Sequence, residues 1–339
     1  MTRRAWGAAL AAVFLSEAEA ARNVLINAAG ATFPYPMYSK WFDRYNKKFP
    51  HLQFNYQSIG SGGGIKQITV GTVDFGASDG PMTDRQIRDF QQKRGANILH
   101  FPTLIGADVI PYNLPGISAK LNFAPETIAG IFLGKIVTWN DRELVDANPG
   151  VNLPNERIVV VHRSDGSGTT FVFVDYLCKV SKEWEARVGR GTSVNWPVGI
   201  GGKGNEGVAG QINQTPYSIG YTELVYALQS NMTHARIRNS SGVFVEANLH
   251  TVSEAASAPM PDDFRVSITN PPGKDAYPIA SFTWLLIPET IPDPTIREAV
   301  KGFLRWMLDE GQAMTEALQF AHLPPSVIAR ERIAIERIH

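Results

Sequence analysis

Apolar positions recur along the chain with two periods, and the switches between them mark most of its elements. A short apolar run at residues 24–27 predicts a strand. Tyr38, Trp41, Phe42, Tyr45 and Phe49 then fall three and four apart, which puts five rings on one face of a helix. Pro34 and Pro36 suit its first turn, where a missing N–H costs nothing. Residues 52–58 alternate and predict a strand, which runs through Ile59-Gly-Ser-Gly-Gly-Gly64 into a helix carrying Ile65 and Ile68. Another short strand ends at Asp79, with Thr83 or Asp84 starting the next helix. Residues 101–112 are mostly apolar and predict one or two buried strands before a turn at Pro115-Gly116.

The later half continues the alternation. Residues 158–161 are β-branched and read as a strand, residues 170–180 as a helix, so residues 165–169 form the turn between them. Residues 217–224 predict a strand, the polar stretch 235–274 predicts loops, and residues 276–288 predict a long strand. Asp293-Pro294 starts a helix bearing Ile296, Val300, Phe303, Leu304, Met307 and Leu308 and closed by Gly311. Residues 314–338 predict two more helices broken at Pro324-Pro325, packed back on the first domain. The class is α/β. At 339 residues about two domains are expected, with crossings near residues 101–112 and 276–288.

Composition narrows the partners. Lysine plus arginine equals aspartate plus glutamate at 32 each, so the basic excess that nucleic acid requires is missing. Arg3 and Arg4 precede an apolar run at residues 5–15, and Ala18-Glu-Ala20 supplies small residues for cleavage, which together read as a secretory leader. The run is too short to span a bilayer. The mature chain is expected to begin near Ala21, exported, with no cysteine near the cleavage point to carry a lipid. The lone cysteine, Cys178, sits in an amphipathic run, where a buried inert thiol is expected.

The chemistry gathers at Arg163-Ser-Asp-Gly-Ser-Gly-Thr-Thr-Phe171. A helix start exposes unpaired N–H groups with partial positive charge, and Gly166 and Gly168 allow close backbone approach, so the turn favours an anion. Ser167 and Thr169 add hydroxyls, and Asp165 is placed to orient the Arg163 guanidinium. A plain N-cap at Ser167 or Thr169 is the competing reading. The glycine turn around Ser61 has the same strand-to-helix character, and Asp79 reads either as a ligand contact or as an Asx turn with Gly80-Pro81. Gly199-Ile-Gly-Gly-Lys-Gly204 matches a dinucleotide fingerprint, but no clear strand precedes it. The seven histidines form no pair three or four apart, so no local metal cluster is expected, and no Gly-x-Ser-x-Gly elbow surrounds Ser167. A His162–Ser167 nucleophile pair is the weaker enzymatic reading.

With residues 28–34, 59–64, 73–81 and 163–171 in view, the chain resembles the periplasmic phosphate-binding protein of the high-affinity phosphate ABC transporter. The resemblance runs from about Asn27 to the C-terminal helices and includes residues 196–207 and 275–287. It implies a two-lobe periplasmic binding protein, type II-like, with the ligand cleft between lobes: residues 21–104 and 278–339 in lobe 1, residues 105–277 in lobe 2. The ligand implied is dehydrated inorganic phosphate. Its contacts would be Thr32, Phe33, Ser61 and Asp79 from one lobe and Arg163, Ser167, Gly168 and Thr169 from the other, with Asp165 orienting the arginine. The implied protein is a monomeric periplasmic subunit that serves a membrane permease, with no metal, cofactor or catalysis. The family pattern has a second serine where this chain has Gly62. Phosphate carries a proton that Asp79 could accept, whereas sulfate or molybdate, the alternative ligands, would meet it with lone pairs. A secreted phosphatase would need a nucleophile with a base, or a metal pair.

Overall fold

The computed structural model describes residues 23–339, so the leader expected at residues 1–20 lies outside the described residues. The first lobe opens with three parallel strands: β1 (Val24–Gly30) sits between β2 (Leu52–Ser58) and β3 (Phe75–Ser78). They are linked by α1 (Tyr35–Lys48) and α2 (Ser61–Val70), and α3 (Asp84–Arg94) follows. The aromatic face of α1 packs as its spacing requires. Phe42 stacks on Phe54 at 4.7 Å, and Phe54 meets Phe303 at 4.9 Å, joining α1 and β2 to a helix from the far end of the chain.

β4 (Ile98–Val109) is buried throughout its length, as an apolar run bounded by turns should be. The chain then crosses to a second sheet through β5 (Tyr112–Asn113), β6 (Asn122–Phe123), α4 (Pro125–Phe132), α5 (Arg142–Ala147), β7 (Val159–Arg163), α6 (Gly168–Val180), α7 (Lys182–Arg187), β8 (Ile200–Gly202), α8 (Gly204–Gln214) and β9 (Ser218–Gly220). One residue later, β10 (Thr222–Glu223) pairs antiparallel with β4, so the chain touches the first sheet again before α9 (Leu224–Gln229). Three small elements follow, β11 (Arg236–Arg238), β12 (Phe244–Val245) and α10 (Leu249–Ala255), where the polar composition predicts loops. The strands are too short to show a period. α10, however, carries a capping box between Asn248 and Thr251.

β13 (Ala280–Pro288) returns to the first sheet, whose order is β10-β4-β13-β3-β1-β2. The second sheet runs β5-β9-β7-β8, and β12-β11-β6 forms a third. α11 (Pro294–Trp306) carries the expected apolar face but is not closed by a left-handed Gly311. The chain continues through a π-turn, Met307–Gly311, and Gly311 has φ −64°. Glycine serves there by letting α1 come close: Trp41 Nε1 donates to Gly311 O at 2.9 Å, and a Cβ would lie 3.2 Å from that nitrogen. The first of the two expected tail helices is a pair of 3₁₀ turns, Gln312–Met314 and Glu316–Leu318; the second is α12 (Pro325–Ile335). Among the described residues no helix is long and apolar enough to cross a membrane.

Candidate anion site

Four strand-to-helix turns meet where the lobes touch. In the second lobe, Arg163 ends β7 and Ser167 is the N-cap of α6, its Oγ accepting from Thr170 N at 3.0 Å. The N-cap reading is therefore correct for Ser167. It also leaves the hydroxyl hydrogen available to another acceptor. Arg163 is buried and held in a bidentate pair, Nε to Asp165 Oδ1 at 2.8 Å and Nη2 to Asp165 Oδ2 at 2.6 Å. Its Nη1 donates to Thr169 Oγ1 at 3.2 Å. Burial alone would push the Asp165 carboxyl up. The Arg163 bonds and charge, with the N–H of Gly204 at 3.1 Å, outweigh it and hold Asp165 below the usual carboxylate range.

That last contact explains the glycine motif at residues 199–204. Its middle forms β8, parallel to β7, and α8 starts at Gly204. The first N–H of that helix is directed at Asp165, so the motif buttresses the arginine clamp.

In the first lobe, Ser61 begins α2 and Asp79 follows β3. Both are buried. Asp79 Oδ1 accepts from Thr283 Oγ1 at 2.8 Å, and its Oδ2 lies 3.4 Å from Ser61 Oγ. Its burial pushes the carboxyl up to about 7, against the opposing pull of the Thr283 bond, the Arg163 charge and the Ser61 bond. Thr32 lies just before α1, its carbonyl accepting from Tyr226 and its Oγ1 from Asn205 Nδ2 at 2.9 Å. The Phe33 ring is core, 6.2 Å from Phe320, so this residue can offer a ligand its backbone N–H and not its side chain.

The two lobes approach to bonding distance here. Gly62 N donates to Gly166 O at 2.8 Å. A Cβ on Gly168 would lie 2.3 Å from Ser61 Oγ and 2.4 Å from Asp79 Oδ2. The Arg163 turn and the Asp79 turn thus face one point. The missing second serine also has a cause: a Cβ on Gly62 would sit 3.0 Å from Gly166 Cα, and Gly60, at φ +84°, lies under Asp165. His162 does not serve Ser167, since its Nδ1 meets Arg163 O at 3.0 Å and its ring stacks on Trp196 at 4.8 Å. Among the described residues no group of three or more His, Cys, Asp or Glu is placed to hold a metal ion.

Three contributors escaped the sequence reading: Asn205, Thr283 and Tyr226. Each bonds a site residue from more than 170 positions away along the chain. A cue existed only for Asn205, which follows the glycine motif.

A family model described as the PBP superfamily domain matches residues 16–310. The phosphate-binding protein PstS of Xylella fastidiosa strain Temecula1 is 44% identical over 315 residues, covering 92% of this chain and 85% of that protein. PstS of Pasteurella multocida is 42% identical and covers 97% of this chain and 94% of its own length. Among solved structures, a high-affinity periplasmic phosphate-binding protein with bound phosphate superposes with TM-score 0.74 at 21% identity, covering 91% of this chain and 93% of that one. A phosphate-binding protein from Stenotrophomonas maltophilia gives TM-score 0.69 at 18% identity, covering 91% and 93%. The chain belongs to the PBP superfamily and, within it, to the family of PstS phosphate-binding proteins.

Proposed function

We propose that the chain binds inorganic phosphate between its lobes as the substrate-binding component of an ABC phosphate importer. Thr32, Phe33, Ser61 and Asp79 hold the ligand from one side, and Arg163, Ser167, Gly168 and Thr169 from the other. Asp165 keeps the guanidinium aimed at it. The lobes of this reading are residues 21–104 with 278–339, and residues 105–277. The leader at residues 1–20 exports the chain to the periplasm, cleaved near Ala20, where it hands phosphate to the membrane permease. It acts as a binding protein and carries out no catalysis.

One observation supports this ligand over other oxyanions: a buried carboxylate, Asp79, among hydroxyl, N–H and guanidinium donors. An oxyanion that has kept a proton can give it to Asp79 while its other oxygens accept. Sulfate has no proton to give and would set lone pairs against lone pairs in a site closed to water. A site built around one required donor discriminates by about 10⁴ to 10⁵. Positive charge is modest because the Arg163 guanidinium is already paired with the Asp165 carboxylate, so the anion is met chiefly by dipoles.

Titration calorimetry with phosphate, arsenate and sulfate tests the reading. Wild-type protein should bind phosphate and arsenate and reject sulfate. Asp79→Asn, which can donate a hydrogen, should admit sulfate and lose most of the discrimination. Undiminished rejection of sulfate by Asp79→Asn would remove Asp79 from the mechanism.

A further inference from the structure

Asn205, in the first turn of α8, is fully buried. Its Oδ1 accepts from Glu223 N at 3.2 Å and from the Thr222 hydroxyl at 3.0 Å. A backbone N–H can only donate, which settles which end of the amide is oxygen and turns Nδ2 the other way. There Nδ2 gives one hydrogen to Thr32 Oγ1 at 2.9 Å and the other to Thr169 Oγ1 at 3.0 Å. The two hydroxyls come from opposite lobes. Every hydrogen-bonding position of the amide is used.

A hydroxyl has one hydrogen and two lone pairs. Thr169 Oγ1 receives hydrogens from Asn205 and from Arg163 Nη1, which fills both lone pairs, so its own hydrogen is left for a third partner. Thr32 Oγ1 receives a hydrogen from Asn205 on one of its lone pairs. We propose that Asn205 is a positioning residue that makes the Thr32 and Thr169 hydroxyls donors toward the anion while tying both lobes to the Thr222–Glu223 crossing. This deepens the phosphate-binding reading and rests on it.

A consequence for specificity follows. With the Thr32 and Thr169 hydroxyls turned to donate, Asp79 is the one anionic acceptor among the named ligand contacts, so the ligand's proton is steered to it. An amide suits the task because it donates twice without adding charge. A carboxylate of the same shape would accept from both hydroxyls and turn them away from the ligand.

A mutant cycle on the full mature chain, titrated calorimetrically with inorganic phosphate, tests the assignment. Asn205→Ala in the wild-type background should weaken binding roughly 100-fold, the worth of two misdirected bonds to an anion. In a Thr32→Val, Thr169→Val background the same change should cost less than about threefold, because no hydroxyl remains to be oriented. A purely structural amide would cost the same in both backgrounds, and that result would overturn the proposal. Asn205→Asp keeps the shape and provides a second measurement should Asn205→Ala fail to fold. Its affinity relative to wild type should recover as the pH falls and the protonated carboxyl regains a donor, whereas a pH-independent ratio would count against orientation. If wild-type protein takes up no phosphate, the functional reading falls and this proposal with it; if wild type binds and the cycle shows no coupling, the proposal alone fails.

Discussion

Replacing Asp108 by asparagine should stabilise the ligand-free protein, and increasingly so as the pH rises. Asp108 and Glu223 are direct partners across β4 and β10, so their side chains leave the same face of the strand pair. Both are fully buried, and neither Asp108 oxygen nor Glu223 Oε1 has a donor; the second Glu223 oxygen caps α9 at Val225 N, 2.7 Å away. Burial pushes Asp108 well above the ordinary carboxylate range, Asp79 adds to the shift and Arg163 opposes it. Burial does the same to Glu223, opposed by the Val225 bond and reinforced by Asp108 and Asp79. Tyr277 also reaches this point, but its hydroxyl donates to the Asp108 carbonyl at 3.0 Å and offers the carboxyl nothing. Protons are therefore what neutralise the pair, and they belong to it jointly.

The sign follows from which state binds more protons. An unfolded carboxyl releases its proton near pH 4, whereas the folded pair keeps protons to higher pH. Across that window the folded state holds the excess, so stability is greatest below the unfolded pKa. It falls as the pH rises toward the folded pKa, by about 1.4 kcal/mol per pH unit for each retained proton. Asp79, raised to about 7, contributes the same slope between roughly pH 4 and 7. Asp108→Asn removes one proton from this balance, so its stability curve should be shallower, its margin over wild type widening by about 1.4 kcal/mol for each pH unit over which Asp108 keeps its proton. Urea unfolding of the phosphate-free proteins at pH 5, 6, 7 and 8 measures it. Parallel curves, or a variant that loses ground as the pH rises, would show that the pair does not retain protons.

Two further changes probe the closed site. Gly168→Ala would place a methyl group 2.3 Å from Ser61 Oγ and 2.4 Å from Asp79 Oδ2, so the lobes could not meet as they do. Phosphate affinity by calorimetry should fall roughly 5- to 150-fold, the overpacking cost of about 1–3 kcal/mol, and wild-type affinity would mean closure does not bring α6 against Ser61. Asp165→Asn leaves the buried Arg163 without its counter-charge, and ligand-free stability in urea should drop by about 3 kcal/mol. Bound phosphate supplies the missing negative charge, so affinity should hold within about tenfold; unchanged stability with collapsed affinity would refute the assignment.

Legibility from sequence followed the length over which a pattern could act. The aromatic face of α1 and the apolar run of β4 were plain because each pattern spans many residues, although β4 starts and ends three residues before the expected 101–112 and Phe49 lies just past the end of α1. The site turns were plain for a different reason: a strand, a glycine and a hydroxyl in succession announce a helix start open to an anion, as at Ser61 and Ser167. Thr222–Glu223 was invisible as a return to the first sheet, since two residues have no period. Gly311 looked like a helix end by its type, yet what glycine does there is ease the approach of Trp41, a contact 270 residues distant.

The deeper limit concerns hydrogen-bond direction. Residue type states what a group is able to donate or accept, and on that basis Thr32 and Thr169 were recognisable as candidate contacts. Which way a hydroxyl points depends on what already bonds to it: Asn205 for Thr32, and Asn205 with Arg163 for Thr169. Asn205 is in turn oriented by a backbone N–H in a crossing strand. The parts of the site can thus be read locally, while its polarity is a property of the closed tertiary structure. The same holds for Asp108: one carboxyl in an apolar run is conspicuous, but its need for a proton arises only when folding buries it with no donor in reach.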